Sequence, residues 1–153
     1  MSDLLGSLQA RLGSEIHLSS WFEVTQARID LFAEATGDRQ WIHVDRERAA
    51  RESPWHTTIA HGYLTLSLYP YLRGISDTDG PIYPGVKSIL NYGLNKTRFP
   101  AAVKSGARVR ARCRLAAVEA VPGGVQTTEV CTIEIEGESK PACVAEAILR
   151  FHV

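Results

Sequence analysis

The chain has 153 residues, 44% of them hydrophobic, and its seventeen Lys and Arg cancel its seventeen Asp and Glu. That length suits one domain, 1–153, able to bury a core without metals or disulfides, and a net charge of zero gives no electrostatic pull toward nucleic acid or an anionic membrane. Cys113, Cys131 and Cys143, odd in number and set in alternating apolar stretches, read as buried free thiols of a reducing compartment. No pair of them has metal-ligand spacing, and there is no leader-like N-terminus and no run near ~18 apolar residues. The expectation is a cytoplasmic protein with no metal and no cofactor that takes a small neutral or anionic ligand.

Leu4, Leu5, Leu8 and Leu12 recur at helical spacing and predict a short amphipathic opening helix. A strand is expected near 16–22. From Thr25, an N-cap, a helix to residue 35 places Ile29, Phe32 and Ala33 on one face, and Gly37 stops it because glycine accepts the left-handed conformation there. Asp38 therefore opens a loop. Five positions on stands His43, so an acid and a base share one short segment, as proton transfer to and from carbon requires. Asp45 caps a further helix through about residue 52, broken by Ser53-Pro54.

Ile59-Ala60-His61-Gly62 leads into the third long helix, apolar almost all round at Tyr63, Leu64, Leu66, Leu68, Tyr69 and Leu72, as expected of a helix buried inside a domain, with Pro70 ending or kinking it. The free amides at its start are candidates to hold a developing oxyanion, with Gly62 the position that lets a substrate approach the backbone. His61 reads as structural, fixing the entry turn. Residues 73–85 form a loop, and its Asp-Thr-Asp-Gly fragment, lacking the rest of a calcium loop, reads as a turn.

The last half is strand. A strand across 86–99 carries Asn91, Tyr92 and Asn95, polar groups that either line a pocket or lie on the surface. Val109, Ala111, Cys113, Leu115 and Ala117 then alternate with Arg108, Arg110, Arg112 and Arg114, the period-two pattern of a sheet with one face on the core. The arginines read as a solvated face opposite Glu134 and Glu136 rather than a phosphate site. A two-residue Gly123-Gly124 turn would pair even with odd residues, so a three-residue loop or a bulge is required. A final strand from about residue 141 points Cys143, Ala145, Ala147, Leu149 and Phe151 inward. The sum is an α+β fold in which five or six antiparallel strands surround one apolar helix.

This arrangement, with Thr-Gly-Asp before Ile-His and Ile-Ala-His-Gly at the helix start, resembles the MaoC-like dehydratases, hot-dog-fold (R)-specific enoyl-CoA hydratases. The likeness covers residues 32–49, Ile59 to Tyr63, and the Leu-Asn-Lys-Thr-Arg-Phe-Pro run at 94–100. Gln40-Trp41 stands where many members carry Asn-Pro, a variation similar to the NodN-like branch, and Trp55-His56 stands where an aromatic followed by glycine is expected.

The resemblance implies reversible hydration of a trans-2-enoyl thioester by an Asp38–His43 dyad with the Gly62 amide as oxyanion donor. The substrate would be an acyl-CoA, or an acyl-carrier-protein thioester, with Asn91, Tyr92, Asn95 and Arg98 as substrate-binding candidates and Lys96 and Arg98 placed to meet coenzyme A phosphates. It also implies a homodimer. Two other readings stand beside it: an acyl-CoA thioesterase, which would want a carboxylate on or near the buried helix, and a non-catalytic acyl-thioester-binding dimer, which would not need the dyad.

Overall fold

The computed structural model describes residues 2–76 and 80–153; the turn expected at 77–80 falls, but for Gly80, outside the described residues. Six strands form one antiparallel sheet: β1 (Glu15–Leu18), β2 (Phe22–Glu23), β3 (Ser88–Arg98), β4 (Arg108–Val121), β5 (Gly124–Ile135) and β6 (Cys143–His152). Their order is β1-β4-β5-β6-β3, with β2 also on β4, so β3 is an edge. The helices are α1 (Ser2–Gln9), α2 (Gln26–Thr36), α3 (Trp41–Val44), α4 (Arg46–Glu52), α5 (Gly62–Ser67) and α6 (Tyr69–Arg73). The inward row of β4 (Val109, Ala111, Cys113, Leu115) and that of β6 (Cys143 to Phe151, odd positions) pack on Leu64, Leu68, Tyr69 and Leu72 of α5 and α6. Each large aliphatic so enclosed contributes about 1.5–3 kcal/mol.

The register settles the hairpin. Val121 pairs with Gly124 across a two-residue Pro122-Gly123 turn, and Ala120 with Val125, so odd faces even near the turn. A bulge between Leu115 and Ala117 then shifts the ladder, and Arg110 faces Glu134. The bulge is what the sequence required, although the turn sits one residue earlier than Gly123-Gly124. Beyond it Ala117 is only half-buried, not inward as the alternation suggested. A glycine is obligatory at 124, because a Cβ there would lie 1.8 Å from the Phe151 carbonyl oxygen of β6. The three cysteines are free and buried as expected; burial raises the Cys143 thiol to about 11, and Cys131 is raised by its contact with Cys113 and by burial.

Four sequence expectations need correction. Leu12 lies past the end of α1 and is exposed. The 16–22 strand is two pieces, since Ser19 turns back to accept from the Ala111 amide through its Oγ at 2.9 Å. The central helix is not buried around its whole circumference: Tyr63 and Tyr71 are 71% and 58% exposed, because the sheet of one chain covers only one side. The break expected at Pro70 is present: the helix is two pieces meeting at Leu68, two residues before Pro70, whose missing N–H cannot continue the ladder. Finally, residues 41–44 form a helical turn where a loop was expected.

Candidate active site

Thr25 Oγ1 caps α2 by accepting from the Arg28 amide, and Gly37 ends it at φ 78°, its amide donating to the Ala33 carbonyl at 2.9 Å. The chain turns out of the helix there, and Asp38 is exposed in the connection to α3. Its own loop holds it weakly: its amide reaches Thr36 Oγ1 at 3.5 Å, and its Oδ1 accepts from the Gln40 amide at 3.4 Å. His43, buried in the one turn of α3, is tied far better. Its Nδ1 lies 2.7 Å from the Ile59 carbonyl, and its own carbonyl accepts from Gln26 Nε2 at 2.7 Å. Gln26 is buried and also accepts from the Thr58 hydroxyl, so α2 and the 58–60 strap fix α3 from two sides.

His61 comes up behind this pair. Its ring stacks on His43 with centroids 3.8 Å apart and planes 24° apart, and its Nε2 lies 2.9 Å from the Asp38 carbonyl. One ligand-type atom from each of Asp38, His43 and His61 lies within 4.8 Å of the other two. The structure thus brings the two sequence-derived dyad residues together and adds a third.

The partners decide the tautomers. A ring nitrogen facing a carbonyl must donate, so His43 carries its proton on Nδ1 and His61 on Nε2. His43 Nε2 then presents a lone pair, and His61 Nδ1 is a buried acceptor with no partner among the described residues. Burial, reinforced by His61, pushes the His43 imidazolium below its ordinary value of 6.5, against the opposing pull of the Ile59 carbonyl and Asp38. His43 is therefore neutral and basic at pH 7. Carboxylate, Nε2 and Nδ1 are three acceptors, and the long contact from the Gln40 amide to Asp38 is the one hydrogen bond that reaches any of them among the described residues. Two imidazoles and a carboxylate are a plausible donor set for a transition ion at about 2.0–2.2 Å. Stacked rings, however, send their lone pairs out side by side rather than onto one point, which suits a bridging water better than a metal.

Gly62, next along the chain, starts α5, so its amide has no intrahelical acceptor. It borders a cleft of about 560 Å³ with Trp55, Ile59, Thr65, Phe99 and Lys104. The Phe99 ring covers its α-carbon so closely that a Cβ would sit 3.1–3.3 Å from the ring. A smaller apolar groove of about 350 Å³ runs along the other side of the helix, between Leu66, Tyr69 and Pro70 and the sheet residues Asn91, Leu94 and Ile148.

The β3 candidates fare differently. Asn91, Tyr92, Asn95 and Arg98 are all exposed on the edge strand, and none hydrogen-bonds to Asp38, His43 or His61 among the described residues. Asn91 borders the smaller groove, Tyr92 lies under the Arg150 guanidinium, and Arg98 Nη1 donates to the Thr97 carbonyl at 2.8 Å. Neither Lys96 nor Arg98 borders the cleft at Gly62; Lys104 does. His56 has φ 56°, the one positive value at a non-glycine among the described residues.

Sequence reasoning missed a second buried polar cluster. Glu129 of β5 accepts from Arg73 Nε (2.8 Å), Arg73 Nη2 (3.1 Å) and the Tyr69 hydroxyl (2.5 Å). All three residues are at least 96% buried. Burial would lower the Arg73 guanidinium, but its bonds to Glu129 outweigh that and hold it above its ordinary value; burial and Glu129 likewise raise Tyr69. The signal was available, since the alternation that turns Cys131 and Ile133 inward does the same for Glu129.

The sequence profile of the family described as MaoC like domain matches residues 7–137. The chain is 51% identical over 148 residues to 3-hydroxyacyl-thioester dehydratase Z of Mycobacterium tuberculosis, covering 96% of this chain and 95% of that protein. It is 45% identical over 145 residues to nodulation protein N of Rhizobium leguminosarum, covering 94% and 88%. Among solved structures, an unliganded R-hydratase of Pseudomonas aeruginosa superposes with a TM-score of 0.70 at 23% identity over 92% of this chain and 81% of that one. A monoamine oxidase regulatory protein from Archaeoglobus superposes at 0.74 and 19%, over 93% and 91%. The architecture is thereby the hot-dog fold.

Proposed function

From its membership of the MaoC-like dehydratase family, shared with hydratases and dehydratases, we propose that this chain, as one domain spanning 1–153, is an (R)-specific enoyl-CoA hydratase/dehydratase. The observation that carries the reading is that the Asp38 carboxylate and a ring nitrogen of the buried His43 lie within 4.8 Å of each other, with His61, the residue before the α5 start at Gly62, against both.

A water between Asp38 and His43 donates one hydrogen to the carboxylate and the other to Nε2. Its oxygen attacks C3 of a trans-2-enoyl thioester as the released proton passes to the pair, and the same pair returns one proton to C2, so that one water is consumed and nothing else changes. The pair titrates as a unit. Charge that builds on the thioester oxygen in between falls to the Gly62 amide, and one such donor is worth about 3 kcal/mol in the transition state. Dehydration is the same path reversed. The cleft bordered by Trp55 and Lys104 suits the carrier arm, with Lys104 rather than Arg98 as the cation nearest its mouth; Asn91 is retained as a lining group of the apolar groove, while Tyr92, Asn95 and Arg98 fit a subunit contact better.

A homodimer belongs to this reading. Leu90, Tyr92 and Leu94 on unpaired edge β3, with Tyr63 and Phe99 beside them, are between 39% and 71% exposed. An uncovered edge carrying that much apolar surface wants a second copy. The thioesterase reading is weakened because Glu129, the carboxylate beside α6, is buried and held by three hydrogen bonds from Arg73 and Tyr69.

Crotonyl-CoA tests the proposal. Loss of the enoyl absorbance without thiol release, giving (R)-3-hydroxybutyryl-CoA, is the expected result. Thiol release would establish a thioesterase, and no change with either coenzyme A or carrier-protein thioesters would leave only a binding role.

A further inference from the structure

We propose that His61 is the positioning residue of the acid–base pair: its Nε2–H braces the backbone of Asp38 while its ring backs His43. The proposal rests on the dyad reading above and goes beyond it.

Asp38 is the less secure partner. It is exposed, and the two hydrogen bonds within its own loop are 3.4 and 3.5 Å long. The tight tie is the 2.9 Å bond from His61, twenty-three residues away, to its carbonyl. His43 is gripped by the same short strap, for its Nδ1 donates to the Ile59 carbonyl two residues before His61 and its ring lies flat on that of His61. The segment 59–61 therefore acts as one jig. It sets the height of the base through Ile59 and the position of the acid through His61, and it is itself anchored where the Ala60 amide donates to the Val103 carbonyl at 2.8 Å. Phe32, 4.9 Å from the His61 ring, closes the third side.

An imidazole does this where other residues do not, because it offers a flat face for stacking and a donor at the far tip. The arrangement has a cost. His61 Nδ1 is buried with no partner among the described residues, and an unpaired buried acceptor lowers stability. A residue selected for packing alone would be apolar here.

Two substitutions separate the brace from mere bulk. In H61Q the amide nitrogen reaches the place of Nε2 and can donate to the Asp38 carbonyl; in H61N it stops near Nδ1 and cannot. With crotonyl-CoA, H61N should lose about 100-fold in kcat, the scale of a misplaced reacting group, with KM little changed, and H61Q should recover most of that loss. Wild-type kcat in H61N, or an H61Q as slow as H61N, overturns the proposal. Should either variant unfold, nitrogen NMR of the wild-type imidazoles decides: the account requires a proton on His61 Nε2 facing the Asp38 carbonyl, and a tautomer protonated on Nδ1 alone contradicts it. If the wild type hydrates no enoyl thioester, the dyad reading fails on its own, and the same NMR experiment still reports on the bond to Asp38.

Discussion

Two polar clusters flank the central helix, one at each end, and they differ in burial and in how fully their members are paired. At the far end Glu129 receives three donors from Arg73 and Tyr69. At the near end the Asp38 carboxylate takes one long contact from the Gln40 amide, and His61 Nδ1 has no partner among the described residues. A closed cluster in low dielectric specifies packing, because removing any member strands the rest. An open one is held ready for something absent from the chain. The contrast is a better guide to chemistry than charge or burial alone, since by those measures Arg73 and Glu129 are the more conspicuous pair.

The largest effect expected is on turnover. Replacing His43 with Ala should lower kcat per folded molecule for crotonyl-CoA by ~10²–10⁴-fold, while the Ile59 carbonyl it strands costs about 1–3 kcal/mol of stability. Arg73→Met should act on stability alone, stranding Glu129 and costing about 3–5 kcal/mol in urea unfolding with kcat per folded molecule retained. An Arg73→Met protein of wild-type stability would mean that the pair is not closed in solution. Tests on the outer face should be small: Arg110 lies 2.6 Å from Glu134 but is partly exposed, and Arg110→Ala should cost only about 0.2–1 kcal/mol. His56→Gly should stabilise by about 1 kcal/mol, relieving a left-handed backbone that glycine accepts freely.

The open cluster also carries a pH signature. His43 binds its proton less readily folded than unfolded, so between the two values the unfolded chain holds more protons and stability rises with pH. The His43 contribution is therefore complete above about pH 6.5, falls as the pH drops below it, and levels off beneath the folded value. The acid limb of kcat/KM should likewise lie below the ordinary histidine range. A limb at or above 6.5 would show that His43 is not held neutral by burial.

Much of this was legible in the residues. The alternation in β4 to β6, the Thr25 and Asp45 caps, the Gly37 stop and the need for a bulge all follow from local rules that tertiary contacts did not override. Asp38 and His43 could be singled out as candidates because one segment carries both. What escaped detection depends on distance in sequence: His61 meets Asp38 across twenty-three residues, and Glu129 meets Arg73 across fifty-six. The placement of the β3 polar groups stayed open because an edge strand exposes both faces, so alternation there does not say which side is a pocket. The odd residue pair at Trp55-His56 had a physical reading as well, since the glycine expected at 56 is the residue its backbone conformation favours.

The most direct test reads turnover and unfolding in the same samples of Asp38→Asn and Glu129→Gln. The account predicts an Asp38→Asn enzyme of wild-type stability that barely hydrates crotonyl-CoA, and a Glu129→Gln enzyme that unfolds early yet turns over normally while folded. An Asp38→Asn protein with wild-type turnover would contradict it.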